Sequence, residues 1–574
     1  MADASDARSD RIPGNRERAP MVGWYDPKTL FLSGFMAAVS WLFGRYADRR
    51  VIAAIGGSPQ PAFDYSQVEG DFWFDYVSDI GDGWNPTYAV AHQLAQPTLE
   101  FTSSNGGTQR LSRGRLLLFG GDQVYPYPTR NAYERKTEAP YEVALRGQAE
   151  RPDVFALPGN HDWYDGLVAF TRIFCRPDRG FAGCATRQTR SYYALKLPAN
   201  WWLFAIDLQL GTDLDEPQVR YFQEIARDLP ADARVILCVP FAQWILEKAY
   251  PGYPEYANTT LKFFAERIIG QRVDVYLTGD LHSYRRHESS DGVQKIVSGG
   301  GGAFMHPTHA PSAATLSGGF REKTCYPDHA TSRRLNWRNS GFPFINPSCG
   351  IAMAVMYVLS AWLVAASYAG QPLSSFAAAA KVAAAIALRN PGTGLWFAAL
   401  IGGFVFFTDT HVRWYRLFGG ITHALAQIGA GLTLLWGSAC VVGAWAWLPA
   451  TSLWQPLAIG SLVAVGGSFI GSWILGIYLM ASLAIYGRHS NEAFSALRIV
   501  DWKQFLRLRI GRDGTLSIFV VGIDRVARRW QKREINAETT LVPRDNRATP
   551  PHLVEIVDVK PTRPRPARSS TPRE

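Results

Sequence analysis

Cysteine is scarce in this chain, with six residues among 574 and no spacing typical of a disulfide framework. Cys440 lies within an apolar segment, and Cys238 lies within a short apolar run typical of a buried strand. A reducing compartment is therefore the simpler interpretation. The N-terminus also lacks the charged-then-apolar pattern of a signal peptide, so we expect no export of the region that follows.

Motifs that read RNA or DNA are absent as well. The formal net charge is +10, from 59 Lys and Arg against 49 Asp and Glu. Cytoplasmic loops of membrane proteins are rich in Lys and Arg, which accounts for such a surplus without a nucleic-acid partner. We therefore expect the lipid bilayer, and not nucleic acid, as a partner of this chain.

Four apolar segments predict a multi-pass membrane protein. They comprise residues 350–370, 395–407, 421–448 and 457–486. Residues 374–388 carry Lys381 at their centre, which favours a surface or re-entrant helix. Four spans return the chain to its starting side, and arginines flank that side. The soluble parts are therefore expected to face the cytoplasm from the cell (inner) membrane.

The composition changes several times along the chain and predicts six regions. These are a disordered N-terminus (1–28), an interfacial or linker helix region (29–69), an α/β domain (70–320), a helical transmembrane domain (348–487), a small soluble domain with a β-hairpin (488–535) and a disordered tail (536–574).

Within the α/β domain, polar side chains follow four short apolar runs that read as buried strands, at 72–77, 116–119, 154–157 and 273–277. Asp79, Asp122, the pair Asn160-His161, and Asp280 with His282 come directly after these runs. Ligands bind at the carboxyl ends of strands in α/β sheets, so the four clusters are expected to converge on one crevice. Carboxylates, an amide and imidazoles suit a metal ion such as Mn, Fe or Zn.

The run Gly-Asn-His-Asp at 159–162, with Asp79, Gly121-Asp122 and Asp280-Leu-His282, resembles the calcineurin-like metallophosphoesterase superfamily over roughly 70–310. The Gly-rich run 299–304, the His-Pro-Thr-His run 306–309 and the membrane segments resemble a multipass subgroup. The resemblance implies an α/β fold, a layered β-sandwich flanked by helices. The rest of the sequence is expected to add an all-α membrane domain of about four helices and a small β-containing C-terminal domain.

The resemblance also implies roles for individual residues and two metal ions, Mn, Fe or Zn. Asp79 and His282 would bind the first ion, Asp122 would bridge both, and Asn160 would bind the second. His161 would contact the substrate phosphate or protonate the leaving group. Bound metal ions clamp phosphoryl oxygens and lower the pKa of a coordinated water, which attacks phosphorus.

The motif series departs from the superfamily pattern in three places. Gly81 stands where many members have His, and Tyr125 fits the variant of the purple acid phosphatases, in which a Tyr binds the first metal. No His follows the run 235–239, and Asp280 replaces the first His of the last motif. The second metal site keeps Asp122, Asn160 and Asp280 as predicted ligands. Accessory candidates for it are Asp82, His287, His306 and His309, and Arg190 or Arg285 are candidates for phosphate contact. Alternatively, the protein binds a single metal ion or is a catalytically inactive relative of the superfamily.

The sequence thus predicts a membrane-anchored, metal-dependent phosphoester hydrolase. Its position at the membrane suggests a lipid-linked or membrane-surface phosphate as substrate. The competing hypothesis is a catalytically inactive phosphoesterase fold that serves as a membrane scaffold or regulatory protein.

Overall fold

The computed structural model describes most of the chain in two compact units. The described residues are 11–12, 16–43, 60–102, 107–208, 213–253, 256, 259–368, 373–408, 411–445, 447–449 and 452–560. The first unit comprises the described parts of 1–22, 32–329 and 498–574, and the second comprises those of 23–31 and 330–497.

The first unit contains a six-stranded sheet that carries three of the four predicted buried strands and both strands of the predicted hairpin. Its order is His552–Val559, Leu516–Ile523, Lys503–Ile510, Phe72–Val77, Leu116–Phe119 and Asp153–Ala156. The last three strands run parallel to one another, whereas Lys503–Ile510 is antiparallel to both of its neighbours. The parallel strands place their carboxyl ends at one edge of the sheet.

A nine-stranded sheet forms the second layer of the same unit. Its order is Thr315–Leu316, Phe320–Tyr326, Tyr284–Glu288, Gln294–Ser298, Val275–Thr278, Arg234–Val239, Trp201–Ala205, Tyr193–Lys196 and Phe63–Asp64. The central strands Trp201–Ala205, Arg234–Val239, Val275–Thr278 and Gln294–Ser298 are parallel. Residues alternate along each strand, so one set of side chains faces the other sheet.

The two sheets enclose a shared apolar core. Phe74, Leu118 and Leu508 from the six-stranded sheet pack in one cluster with Leu203 and Leu277 from the nine-stranded sheet. Helices cover the outer faces: Trp84–Leu94, Arg130–Tyr133, Ala139–Ala144, Asn160–Trp163, Val168–Phe174, Glu216–Ala226, Gln243–Ala249 and Thr259–Phe263. The prediction of an α/β layered domain is confirmed at this level.

The C-terminal strands differ from the prediction of a separate small domain over 488–535. The hairpin forms, but Lys503–Ile510 pairs along its other edge with Phe72–Val77, inside the six-stranded sheet. Arg507 and Asp75, both buried, join these strands with Nε to Oδ1 at 2.7 Å and Nη2 to Oδ2 at 3.1 Å. The pairing spans 432 positions, so no local pattern could reveal it.

The regions predicted to be disordered differ in the same way. Trp530–Ile535 pairs with Glu538–Pro543, and His552–Val559 forms the edge strand of the six-stranded sheet. Residues 561–574 lie outside the described part of the chain. At the N-terminus, Ala19 and Val22 are buried, and Val22 N donates to Oδ1 of Asp82 at 3.1 Å. Apolar burial at these few positions outweighs the polar composition of the described residues 16–28, while residues 1–10 and 13–15 lie outside the described part of the chain.

The second unit is helical. Its helices are His329–Asn336 (continued from the first unit), Phe342–Ile345, Pro347–Ala366, Phe376–Arg389, Pro391–Phe407, Arg413–Gly443, Trp454–Ala481 and Ser490–Leu497; the helix Pro27–Phe43 begins in this unit as well. Among the described residues, three segments are long and apolar enough to cross a membrane: Pro347–Ala366, Arg413–Gly443 and Trp454–Tyr486. Phe376–Arg389 and Pro391–Phe407 meet at 104° and count as a fourth only if the pair forms one span.

Candidate metal centre

Three aspartates that follow strands adopt a left-handed backbone conformation. The φ angles are 59° at Asp79, 46° at Asp122 and 67° at Asp280. This conformation costs an L-residue about 1–2 kcal/mol. Residues held in such regions cluster at functional sites, where surrounding structure stabilises them. Here the turn after each strand directs the chain sharply past the sheet edge.

The hydroxyl of Tyr125 lies at the centre of the converging side chains. It is 2.9 Å from Oδ1 of Asp79, 3.2 Å from Oδ2 of Asp122 and 2.9 Å from Nε2 of His282. Nε2 of His282 and Oδ1 of Asp79 are 3.5 Å apart. All four side chains are buried. The structure therefore brings together four of the residues expected at the first metal.

Around the Tyr125 hydroxyl, the hydrogen-bond acceptors outnumber the hydrogen that the hydroxyl can donate. Nδ1 of His282 lies 2.7 Å from the carbonyl oxygen of Phe304, so Nδ1 carries the proton and Nε2 presents a lone pair. Two carboxylates and this nitrogen thus face the single hydroxyl hydrogen of Tyr125. A cation at this point would satisfy all three acceptors, and oxygen with imidazole nitrogen suits Mn, Fe or Zn. The donor set fits the metal that the resemblance implies.

Burial shapes the electrostatics of this cluster. It raises the pKa of Asp79 to about 7 and the pKa of Asp122 to about 6, the latter with a further increase from the charge of Asp79. Burial and the carboxylates of Asp122 and Asp79 raise the pKa of Tyr125 well above its usual range. Burial lowers the pKa of His282 well below its usual range. Each shift disfavours the charged form, which a cation would reverse.

Three glycines leave space that the carboxylates occupy. A Cβ on Gly159 would lie 2.1 Å from Oδ1 of Asp122, and a Cβ on Gly279 would lie 2.3 Å from Oδ2 of Asp79. A Cβ on Gly299 would lie 2.7 Å from the same Asp79 oxygen. The Gly-Asn-His-Asp and Gly-Asp motifs therefore need glycine because the backbone passes directly against the acidic side chains.

Asn160 and His161 begin the short helix after Asp153–Ala156. The backbone N–H of His161 donates to Oδ1 of Asp122 at 2.9 Å, which ties this helix to the cluster. Nδ1 of His161 lies 2.7 Å from the carbonyl oxygen of Pro126. Nδ2 of Asn160 donates to the Tyr164 hydroxyl at 3.3 Å, which leaves the Asn160 carbonyl oxygen as its metal-type ligand atom.

The accessory candidates occupy several different places. Asp82 is buried and accepts hydrogen bonds from the backbone of Val22 and, at 3.0 Å, of Phe304, so it fixes two loops. The ring of His306 stacks on that of His282 at 3.9 Å, and its Nδ1 accepts from the His282 backbone at 3.1 Å. His306 therefore supports His282 from behind. Asp280 donates its backbone N–H to Asp79 at 2.9 Å.

The remaining candidates have other surroundings. His287 is buried in the strand Tyr284–Glu288, and its Nε2 lies 2.6 Å from the Ala313 carbonyl oxygen. Arg285 pairs with Glu322. Arg190 reaches the Tyr192 hydroxyl at 3.3 Å, and His309 is half-buried. The structure shows none of these four in contact with Asp79, Asp122 or His282 among the described residues.

The segment after Arg234–Val239 reaches the cluster without a histidine. A Cβ on Gly121, next to Asp122, would lie 3.4 Å from the carbonyl oxygen of Pro240. This segment therefore lies where the superfamily pattern would place a histidine, but it contains none. Asp122, Asn160 and Asp280 remain the candidate donors for a second metal.

Sequence reasoning missed a group of polar residues that support the cluster. Ser78 Oγ donates to Oδ2 of Asp79 at 2.7 Å. Lys503 is fully buried and donates to the Ala303 carbonyl oxygen at 2.6 Å, and burial lowers its pKa to about 8. The backbone N–H of Gln504 donates to Gly300 at 3.1 Å. Ser78 adjoins a predicted ligand and could have been found, whereas Lys503 and Gln504 lie more than 200 positions away.

Several solved structures show a limited likeness to this chain. GAP50, the anchor in the inner membrane complex of Plasmodium, is 14% identical over 44% of this chain and 80% of its own, with a TM-score of 0.32. Purple acid phosphatase PPD1 from yellow lupin (Lupinus luteus) seeds is 15% identical over 46% and 49%, with a TM-score of 0.31. PhoD is 12% identical over 43% and 59%, with a TM-score of 0.28. No protein-family model and no curated protein matches the sequence.

Proposed function

We propose that this chain is a membrane-anchored, metal-dependent phosphoester hydrolase. The observation that carries the proposal is the meeting of Asp79, Asp122 and His282 around the Tyr125 hydroxyl, with three acceptors facing one hydrogen. Such a buried, acceptor-rich cluster is stable in a folded protein when a cation neutralises it. Oxygen and imidazole ligands then define the class of metal.

The bound ions would neutralise phosphoryl oxygens and acidify a coordinated water. Asp79, Tyr125 and His282 would hold the first ion, and Asp122 would contribute to both. Asn160 and Asp280 would complete the second position. His306 and the Phe304 carbonyl would orient His282 through its backbone and Nδ1, since outer contacts of this kind fix a metal-binding imidazole.

His161 would donate a proton to the leaving group. The carbonyl of Pro126 accepts from Nδ1, so the proton that is exchanged with substrate is the one on Nε2. Its backbone contact with Asp122 fixes the distance between this imidazole and the metal ligands. A positioned acid of this type contributes about 10²–10⁴-fold to rate.

The proposed substrate class follows from the apolar helices, which would hold the chain at a membrane. Three helices are long and apolar enough to span a membrane, so a tethered hydrolase would meet phosphates at the bilayer surface. We propose a phospholipid head group or a lipid-linked phosphate or pyrophosphate as substrate, hydrolysed on the cytoplasmic side of the inner membrane.

The test uses the full chain in detergent, loaded with Mn, Fe or Zn in turn and assayed on chromogenic mono- and diesters. We expect the His161→Asn variant to lose about 10²–10⁴-fold in kcat while it retains metal. The control is His552→Asn, since that side chain is 41% exposed and lies in the edge strand of the six-stranded sheet. Equal turnover in the His161 variant and the wild type would refute the assigned role.

The lipid part has its own test in reconstituted vesicles. Lipid phosphates in the bilayer and soluble esters would be offered to the same preparation. Release of phosphate from the lipid supports the membrane-surface substrate. Cleavage of the soluble esters alone would remove the lipid part and leave the hydrolase intact. A metal-free chain that cleaves neither would favour the scaffold hypothesis, for which the missing histidine at Pro240 is the supporting observation.

A further inference from the structure

A second group of metal-ligating side chains lies on the edge of the nine-stranded sheet. Glu322 and Cys325 belong to the strand Phe320–Tyr326, and His329 is the first residue of the next helix. One ligand atom from each of the three lies within 4.8 Å of the others. The group combines an oxygen, a sulfur and a nitrogen, so it is not an acidic cluster or an isolated thiol.

The sulfur-to-nitrogen distance within the group matches the distance between two ligands of a tetrahedral ion. Sγ of Cys325 is 3.7 Å from Nδ1 and 3.7 Å from Nε2 of His329. Zinc bonds of about 2.3 Å to sulfur and 2.0 Å to nitrogen put these two atoms about 3.6 Å apart. Oε1 of Glu322 is 2.6 Å from Nε2 of His329, so this pair would separate by roughly 0.7 Å to admit the ion.

Arg285 fixes the orientation of the carboxylate. Its Nε and Nη2 lie 3.1 Å and 3.0 Å from Oε2 of Glu322, and Nη1 donates to the Pro311 carbonyl oxygen at 3.0 Å. Only 2% of the Arg285 side chain is exposed. Because Arg285 engages Oε2, Oε1 is turned towards His329. An outer contact of this kind positions a ligand and tunes its basicity.

A bound divalent cation would leave the group with a small net charge. Arg285 offsets Glu322, and a Cys325 thiolate with the ion adds a net single positive charge in total. A further titratable neighbour is His287, whose Nε2 lies 3.8 Å from Oε2 of Glu322 and faces the Ala313 carbonyl. The His287 imidazole therefore lies beside the Glu322 carboxylate. The sequence had suggested it instead as a ligand at the cluster of Asp79, Asp122 and His282.

We propose that Glu322, Cys325 and His329 form a zinc site separate from the candidate catalytic centre. Sulfur and imidazole select zinc over magnesium or calcium. With 36% of the His329 side chain exposed, water has access to a fourth position. Within the first compact unit, the ion would hold His329 against the strand Phe320–Tyr326, and its role would be to stabilise that connection.

The test uses cobalt as a spectroscopic stand-in for zinc on the full-length chain in detergent. A thiolate-to-cobalt charge-transfer band reports sulfur ligation, and the candidate catalytic cluster contains no cysteine. We expect a one-equivalent band that zinc abolishes. It should vanish in Cys325→Ser and remain in Cys440→Ser, since Cys440 is a half-buried cysteine of the second unit.

Absence of the band in the wild type, or its persistence in Cys325→Ser, would overturn the proposal. If that variant misfolds, alkylation of the wild-type chain decides the matter by peptide mass spectrometry. Zinc should protect Cys325 from the reagent, and a chelator should abolish the protection. Equal alkylation with and without zinc would show that Glu322 and His329 form an ion pair beside an uninvolved thiol.

Discussion

The Tyr125 hydroxyl lies 2.9 Å from Nε2 of His282, although the two residues are 157 positions apart. Tyr125 follows a strand of the six-stranded sheet, and His282 follows a strand of the nine-stranded sheet. The contact therefore joins the two layers of the sandwich at one point. Asp79 and Asp122 face the same hydroxyl, which makes Tyr125 the residue whose replacement is most informative about the first metal.

Tyr125→Phe removes the phenol oxygen and keeps the ring. If Tyr125 binds the first metal, the iron-loaded wild type should show a visible phenolate-to-iron absorption, and the variant should lose it. The measurement is the absorption spectrum of each protein at equal iron content. An iron-loaded wild type without the band would assign Tyr125 a purely hydrogen-bonding role.

Gly159→Ala places a methyl group against a proposed bridging ligand. The new Cβ would lie 2.1 Å from Oδ1 of Asp122 and 2.5 Å from its backbone nitrogen, so the carboxylate must move. We expect metal affinity or turnover to fall by about 10–100-fold. Gly107→Ala is the control, since a Cβ there meets no atom within 4 Å. Equal losses in both variants would contradict the explanation.

The Arg507–Asp75 pair predicts that the C-terminal strands are needed for stability. Arg507→Met leaves a buried carboxylate without its partner, which costs about 3–5 kcal/mol. Chemical denaturation followed by tryptophan fluorescence measures the loss. Arg110→Met is the matched control, because Arg110 and its partner Glu100 are 74% and 54% exposed. A wild-type unfolding midpoint in Arg507→Met would contradict the sheet order.

The edge strand His552–Val559 should be sensitive to acid. Burial raises the pKa of Glu555, but hydrogen bonds from Arg286 and Tyr284 outweigh it and lower the pKa below its ordinary value of 4.5. The stabilisation is therefore fully present above pH 4.5 and is lost as the pH falls through the lowered value.

Denaturation midpoints of the wild type and Glu555→Gln, measured as the pH falls below 4.5, test this expectation. The variant should lose less stability than the wild type over that interval. Glu216→Gln is the control and should follow the wild type, because Glu216 is 64% exposed. Parallel curves for all three proteins would show that Glu555 does not contribute.

Local sequence patterns predicted the elements that carry the first metal cluster. The strands at 72–77 and 116–119 have the predicted bounds. The polar residues after them meet as expected, because carboxyl ends of parallel strands share an edge. Alternating and continuous apolar runs are properties of neighbouring residues and can be read without the rest of the chain.

Partners far along the chain could not be predicted in this way. The hairpin after residue 502 was visible, but its pairing with Phe72–Val77 depends on the complementary surface of a strand hundreds of residues earlier. The position of Lys503 follows from that pairing. The neighbours of His287 follow from the register of the nine-stranded sheet. A histidine in a strand shows its type in the sequence, but the sheet determines which neighbours it meets.

The most direct test of the central claim compares metal content and phosphoesterase turnover in the wild type and Asp122→Ala. Asp213→Ala, an exposed aspartate, is the control. We predict bound metal and hydrolysis of phosphoesters in the wild type and the control, and loss of both in Asp122→Ala. A metal-free, inactive wild type under Mn, Fe and Zn would contradict the account, as would metal and turnover that survive the loss of Asp122.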